Sequence, residues 1–473
     1  MSAVVGRDDA ALERRGPLWR LAGAVGTVSV VVAAGLGALA GAHPVLGAVL
    51  VGGAALVLVA LLWPLAALAI LLSITTLVPF SIQNRFGVGG GTDDPGLLAI
   101  DVLLVLALCR AGVAFLRRRW DGPMLLATLL LLLLAVQLLH GVLNGWPVNE
   151  VGTEVRRAVL AVGAILLSLH VLDREGVRRR LPAVLVLLGL AVGAWGLTQW
   201  YLGIEFLGEI DLGVREEVPL TTTGRGQLQG GLFFFPLAVI VSFAALVSGV
   251  TPRGWRPFVW AVLALNGMSL LFTYERTFWA AAVLGCGFVL LREGRAGRLR
   301  ALTVAPLAVG GLLFVLAVTA PGDLIAAGQR LLSVTQFRTD DSVEYRRNES
   351  AAVLQAIDER PLTGHGFGAG ITWEGVSSGA GETSTFAHNG YLWLAWKVGI
   401  LVGLLIVAGM VASIVRKAGA RGPSLHAVLR RGAQGALLGL LLINVTFPSF
   451  NHLGISVTTG LLLALCWRPT VRG

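Results

Sequence analysis

Long apolar runs, separated by short polar or charged breaks, recur along the chain. The stretches "LAGAVGTVSVVVAAGLGALAG" from Leu21 and "MLLATLLLLLLAVQLL" from Met124 carry no charge. At 1.5 Å per residue each approaches or crosses a hydrocarbon core about 30 Å thick, and a helix satisfies its backbone polar groups without water. Reading each run as a helix predicts spans near 19–41, 45–61, 64–80, 97–116, 123–142, 157–172, 181–202, 231–249, 255–273, 277–291, 300–320, 388–414, 433–447 and 452–467. The runs at 45–61 and 64–80 are short and split only by Trp63-Pro64. About 12–14 transmembrane helices therefore fit the pattern, and the predicted class is an all-α polytopic membrane protein. The charged start "GRDDAALERRG" precedes a long first span and many others, so it reads as part of a retained anchor.

Composition agrees with the pattern. Of 473 residues 55% are hydrophobic and only 14% charged, which excludes a soluble multi-domain protein of this length. The formal charge of +10 would point to nucleic acid in a soluble chain. Here the arginines cluster in "LRRRW" at 116–120, "DREGVRRR" at 173–180, "LREGRAGRLR" at 291–300 and "VRKAGAR" at 415–421, which fall at every second loop. That alternation is the positive-inside pattern. It makes the bilayer the partner, gives no reason to invoke nucleic acid, and puts both termini in the cytoplasm. The layout is then a cytoplasmic tail at 1–18, an N-terminal transmembrane bundle at 19–320, a large extracytoplasmic loop at 321–387, C-terminal helices at 388–467 and a tail at 468–473. Cys109, Cys286 and Cys466 all fall in predicted spans and leave no pair for an outside loop. "GHGFGAG" at 364–370 follows no predicted strand, and no pattern for nucleotide or metal binding stands in a fitting context, so no cofactor or metal is expected.

Three outside segments exceed a simple turn: 81–96, 203–227 and the stretch from Pro321 to Ala387. The last is long enough to be functional. Its middle predicts a helix, with Asp341 three residues before Glu344 as a capping box and Pro361 at the end. Val343, Arg347, Leu354 and Ile357 would share one amphipathic face, laid along the membrane surface or the mouth of the bundle. The outside arginines, Arg215, Arg225, Arg276, Arg346 and Arg347, are not explained by the positive-inside rule. Arg276 could pair with Glu275 or snorkel to the interface, and Arg346 and Arg347 could be a solvated helix face. Grouped around His388, which precedes the apolar run "NGYLWLAWKVGI", they instead suit a phosphate or pyrophosphate ligand, whose oxygens the planar guanidinium matches bidentately.

Three stretches carry a family likeness. "EYRRNESAAVLQAIDERPLTGHGFGAG" resembles an arginine-led helix ending in a Pro-Leu-x-Gly-x-Gly-x-Gly turn. "FAHNGYLWLAWKVGILVG" resembles a His-Asn-x-Tyr-Leu span with a later Gly-Ile-x-x-Gly, and "TYERTFWAAAVLG" is similar to a Ser-x-Ser-Arg span. Order and spacing over roughly 200–415 resemble the O-antigen ligase and polysaccharide polymerase superfamily of bacterial membrane glycosyltransferases. By position, Arg346 matches the family's loop-helix arginine, His388 its histidine, Asn389 and Tyr391 the residues after it, and Arg276 the arginine beside the preceding spans. A further family arginine corresponds to Arg225, with Arg215 as the second choice. Ser350 stands where the family commonly has tryptophan.

The resemblance implies a membrane glycosyltransferase (GT-C-like) bundle in the bacterial cytoplasmic (inner) membrane, with an extracytoplasmic active site. It implies a polyprenyl-pyrophosphate-linked glycan donor, a hydroxyl acceptor on glycan, glycolipid or protein, and neither nucleotide sugar nor metal. His388 and Arg276 are then the expected catalytic residues. Arg225, Arg215, Arg346, Arg347, Asn389 and Tyr391 are the expected substrate contacts. A transporter or flippase of lipid-linked sugars is the chief alternative, disfavoured by the lack of an internal repeat and by the one large loop. A membrane assembly protein is a third. Polymerase stands narrowly ahead of ligase.

Overall fold

The computed structural model describes residues 62–77, 122–202, 231–332, 341–374, 381–416 and 424–468, with residue 58 and a few positions from 101 to 109. The chain divides into a unit Met1–Trp63 and a unit Pro64–Gly473, and every element named below belongs to the second. Its helices are α1 (Pro64–Leu77), α2 (Gly122–Leu143), α3 (Val148–Asp173), α4 (Leu181–Leu202), α5 (Phe234–Ser248), α6 (Arg256–Phe272), α7 (Arg276–Arg292) and α8 (Arg295–Thr319). These are followed by α9 (Pro321–Leu332), α10 (Asp341–Glu359), strands β1 (Ile371–Glu374) and β2 (Gly381–Ser384), and helices α11 (Gly390–Val398), α12 (Ile400–Val415), α13 (Leu425–Ile443) and α14 (Leu453–Trp467).

The protein is mostly helical and membrane-embedded in character. Among the described residues six helices are long and apolar enough to cross a membrane, and α1, α12 and α14 are shorter apolar helices. They fall on predicted spans; 19–41 and most of 45–61 and 97–116 lie outside the described residues. The leucine-rich α2 leaves Leu125, Leu129, Leu132 and Leu139 exposed, as a helix facing hydrocarbon does. By contrast α5, α13 and α14 are buried along most of their length.

Helix packing here rests on close approach rather than on apolar burial, since lipid tails are as apolar as leucine. Helix α14 lies along α3, and α13 lies along α7 and α5. A Cβ added at Gly460 would stand 2.6 Å from the Ala161 carbonyl oxygen, and one at Gly435 2.7 Å from that of Gly285. On α6, Asn266 donates to the Gly189 carbonyl at 2.9 Å and Ser269 to that of Gly193 at 3.1 Å, joining it to α4.

The bundle has two chemically distinct ends. At one, basic loop ends meet: Arg468 reaches Asp173 at 2.9 Å, Arg431 reaches Glu293 at 3.1 Å, and Arg292 donates to the carbonyls of Ile414 and Val415. An apolar cavity of about 290 Å³, with Arg179, Trp255 and Leu425 in its wall, lies at this end. At the other end the start of α7 meets the α13–α14 link, where Thr446 and Thr277 share a hydrogen bond of 2.8 Å. His388 stands at that second end.

Three expectations change. The predicted span 388–414 is two helices, broken at Gly399 with φ of 84°, and the Ile400 N–H donates to the Pro361 carbonyl at 2.8 Å. A turn from the loop between α10 and α11 thus enters the break. The all-α expectation misses a two-stranded antiparallel hairpin in that loop, with Ile371 opposite Ser384 and Glu374 opposite Gly381. Ile371 and Trp373 point inward while Thr372 is exposed, but four residues are too few for such alternation to be legible. Finally, α10 turns a different face inward. Glu349, Val353 and Ile357 are buried, whereas Arg347 and Leu354 are exposed. The true stripe contains a carboxylate, which an apolar template rejects.

Candidate functional site

Beyond α10 the chain turns on three glycines with positive φ, Gly364 (67°), Gly366 (84°) and Gly368 (80°), a region open to glycine at little cost. The turn is stitched to its surroundings through its backbone. The N–H of His365 donates to the Trp396 carbonyl at 2.8 Å and that of Gly366 to the Lys397 carbonyl at 3.0 Å. The Trp146 indole and the Asn144 amide both donate to the His365 carbonyl, at 2.9 and 3.3 Å. The three glycines allow close approach; a Cβ on Gly366 would lie 2.8 Å from the Gly141 nitrogen.

Below the turn lies a buried ion pair. Lys397 Nζ is 2.9 Å from Glu154 Oε1, with the two side chains 0% and 1% exposed. The lysine also donates to the Ala369 carbonyl at 2.6 Å, and the other glutamate oxygen accepts the Gly368 N–H at 2.7 Å. Burying two charges is costly unless each is paired and further hydrogen-bonded, and here both are. The pair therefore ties α3, the glycine turn and α11 together.

At the opposite end of α11 stands His388. Its N–H donates to Glu349 Oε2 at 2.8 Å, and its ring Nδ1 lies 3.1 Å from Oε1 and 3.2 Å from Oε2 of the same carboxylate. The glutamate side chain is 2% exposed and the histidine 20%. Tyr345 and Phe386 stand edge-on to the imidazole, with ring centroids at 5.9 and 5.2 Å. Nε2 makes no hydrogen bond to any described residue. A hydrophobic core of Val151, Val353, Phe367, Trp373, Trp393 and Trp396 supports this arrangement from beneath.

Aromatic contacts join the histidine to the bundle. Phe386 meets Phe447 at 6.2 Å, and Phe447 meets Phe278, two residues into α7, at 6.3 Å. Arg276 is the first residue of α7 and is half-buried. It follows Tyr274, a non-glycine residue at φ of 53°, whose hydroxyl donates to Asp323 Oδ1 at 2.7 Å. Burial, reinforced by the Asp323 carboxylate, raises the Tyr274 hydroxyl above its ordinary range, so it remains a donor. An uncommon backbone conformation held by a partly buried hydrogen bond is a feature of sites where position matters.

The other expected site residues are placed as follows. Arg346 and Arg347 are exposed on α10. Asn389 is the N-cap of α11, its side chain accepting the N–H groups of Tyr391 at 3.0 Å and Leu392 at 3.1 Å. The Tyr391 hydroxyl donates to the Leu441 carbonyl. Arg215 and Arg225 lie outside the described residues. Among the described residues no group of three or more His, Cys, Asp or Glu is placed to hold a metal ion.

Three partners escaped the sequence reading: Glu349, the Glu154–Lys397 pair, and Arg157, which donates to the carbonyl and side-chain oxygens of Asn451 at 3.0 and 2.9 Å. Beside it, His452 accepts the Gly454 N–H on Nδ1 at 3.2 Å. Through that bond His452 caps α14. The only signal for the missed groups was a charged residue set in or beside an apolar run, at Glu154, Arg157 and Lys397.

Residues 260–408 match the family model described as O-antigen ligase, a stretch running from α6 into α12 that includes Arg276, the glycine turn and His388. No curated protein matches the chain. The matched stretch is the same one that carries the His-Asn-x-Tyr-Leu and Pro-Leu-x-Gly-x-Gly-x-Gly patterns, and it supports the likeness to the O-antigen ligase and polysaccharide polymerase superfamily.

Proposed function

We propose that this protein transfers a glycan from a polyprenyl-pyrophosphate donor to an acceptor hydroxyl at the outer face of the bacterial cytoplasmic membrane. The observation that carries the reading is His388: a partly exposed imidazole with an unspent Nε2, held at the end of the bundle where α7 begins with Arg276. The match to the O-antigen ligase family model supports the general reaction class.

In this reading the acceptor oxygen attacks C1 of the lipid-linked sugar in one displacement, with inversion. The C1–oxygen bond to pyrophosphate breaks, and its electron pair leaves with the phosphate. The hydroxyl proton passes to His388 Nε2, a transfer to which an imidazole is suited near neutral pH. Arg276 stabilises the charge developing on the leaving pyrophosphate, aided by Arg225 or Arg215. Arg346 and Arg347, exposed on α10, attract the anionic donor. Asn389 and Tyr391 contribute by fixing the start of α11 and so the direction of His388. The mechanism calls for no divalent cation, and a chelator should leave the rate unchanged.

A polymerase acting on a growing glycan is the first choice of acceptor class, ahead of a ligase to glycolipid or protein. The purified protein in lipid, given a polyprenyl-pyrophosphate glycan alone, should produce a ladder of longer lipid-linked glycans. Transfer only when a separate acceptor is added would identify a ligase. Movement of the glycolipid across the bilayer without transfer would establish a transporter instead.

A further inference from the structure

We propose that Glu349 is the positioning residue that keeps the proton of His388 on Nδ1 and thereby leaves Nε2 open to accept one; this inference rests on the reading of His388 as the base. The geometry of the pair carries it. One buried carboxylate accepts from two groups of the same residue, the main-chain N–H at 2.8 Å and ring Nδ1 at 3.1 Å. A carboxylate only accepts hydrogen bonds, so the Nδ1 facing it is the protonated nitrogen and Nε2 carries the lone pair. The second bond fixes the carboxylate in plane, because a backbone N–H cannot change its role as donor. Edge-on Tyr345 and Phe386 oppose rotation of the ring. When Nε2 takes the acceptor's proton, the negative charge beside Nδ1 stabilises the imidazolium that forms. That proton then leaves to water as the next acceptor enters.

The two-donor geometry makes the consequence of one isosteric change specific. In Glu349→Gln the backbone N–H, which can only donate, claims the amide oxygen at the Oε2 position, and the NH2 group takes the place of Oε1, the oxygen nearest Nδ1. The nearest neighbour of Nδ1 is then a donor, which favours Nδ1 as acceptor and shifts the proton toward Nε2. The base is lost although shape and packing are kept.

The experiment combines histidine ¹⁵N NMR with kinetics on the full-length protein in lipid, His388 being assigned by comparison with His388→Ala. In the wild type the His388 proton should sit on Nδ1. In Glu349→Gln it should sit on Nε2, with the transfer rate down about 10²-fold or more and the donor KM little changed. Glu349→Asp keeps two acceptors and should retain the Nδ1 proton and recover part of the rate. Should Glu349→Gln fail to fold, the wild-type spectrum and the aspartate variant decide alone. A wild-type proton on Nε2, or a folded glutamine variant with normal rate and tautomer, overturns the proposal. If His388→Ala stays active, the base reading fails instead, whatever the spectrum shows.

Discussion

Helix α11 is bracketed by two glutamate pairs of opposite design. At its C-terminal end Glu154 and Lys397 are sealed from solvent, and their oxygen and nitrogen atoms are further occupied by Gly368 and Ala369. At its N-terminal end Glu349 is just as buried, but its partner His388 remains 20% exposed and offers a ring nitrogen that no described residue uses. The same carboxylate chemistry is saturated in one place and deliberately incomplete in the other. A saturated pair can only hold structure, whereas one with a free, protonatable atom at the surface can act on a substrate. The short helix between them links the two, so the lock at Lys397 sets the height and rotation at which His388 is presented.

The contrast can be broken from the structural side first. Lys397→Met leaves the Glu154 carboxylate buried without its cation and should cost about 3–5 kcal/mol of stability. A thermal melt should show it, and adding Glu154→Gln, which still accepts from Gly368, should restore most of the loss. Arg276→Ala should lower transfer about 10²–10³-fold, the usual cost of removing one charge-stabilising donor, while moving the melt much less than Lys397→Met does. Equal damage to stability and rate would place Arg276 with the lock rather than the site. The smallest expected effect is that of Tyr391→Phe, which removes one hydrogen bond to the Leu441 carbonyl. It should cost about 1 kcal/mol of stability and change the rate only a few-fold. A large loss of rate with unchanged stability would show that the hydroxyl contacts substrate.

How much of this was legible in the sequence follows from the range of each signal. The spans at α2 to α6 and at α8 were readable because long apolar runs speak for themselves at the length of a bilayer. His388 and Arg276 were singled out because each stands in a family pattern, and the structure puts both at helix boundaries. The Glu154 contact with Gly368 was not, since 214 positions separate them and neither residue signals the other. Glu349 was masked differently: it is a charge on a helix read by its apolar positions, so the face was placed on Val343, Arg347, Leu354 and Ile357, of which Ile357 is buried while Arg347 and Leu354 are exposed. The break at Gly399 was hidden inside a run apolar on both sides, because its cause is the Pro361–Leu362 turn that packs into it.

The central claim is that His388 performs chemistry at the end of a rigid support. Its most direct test compares purified wild type and His388→Ala in the same lipid, measuring glycan transfer from a polyprenyl-pyrophosphate donor alongside the thermal melt. The account predicts that transfer falls about 10²–10⁴-fold in the variant while the melt barely moves. Undiminished transfer by a folded His388→Ala protein would contradict it.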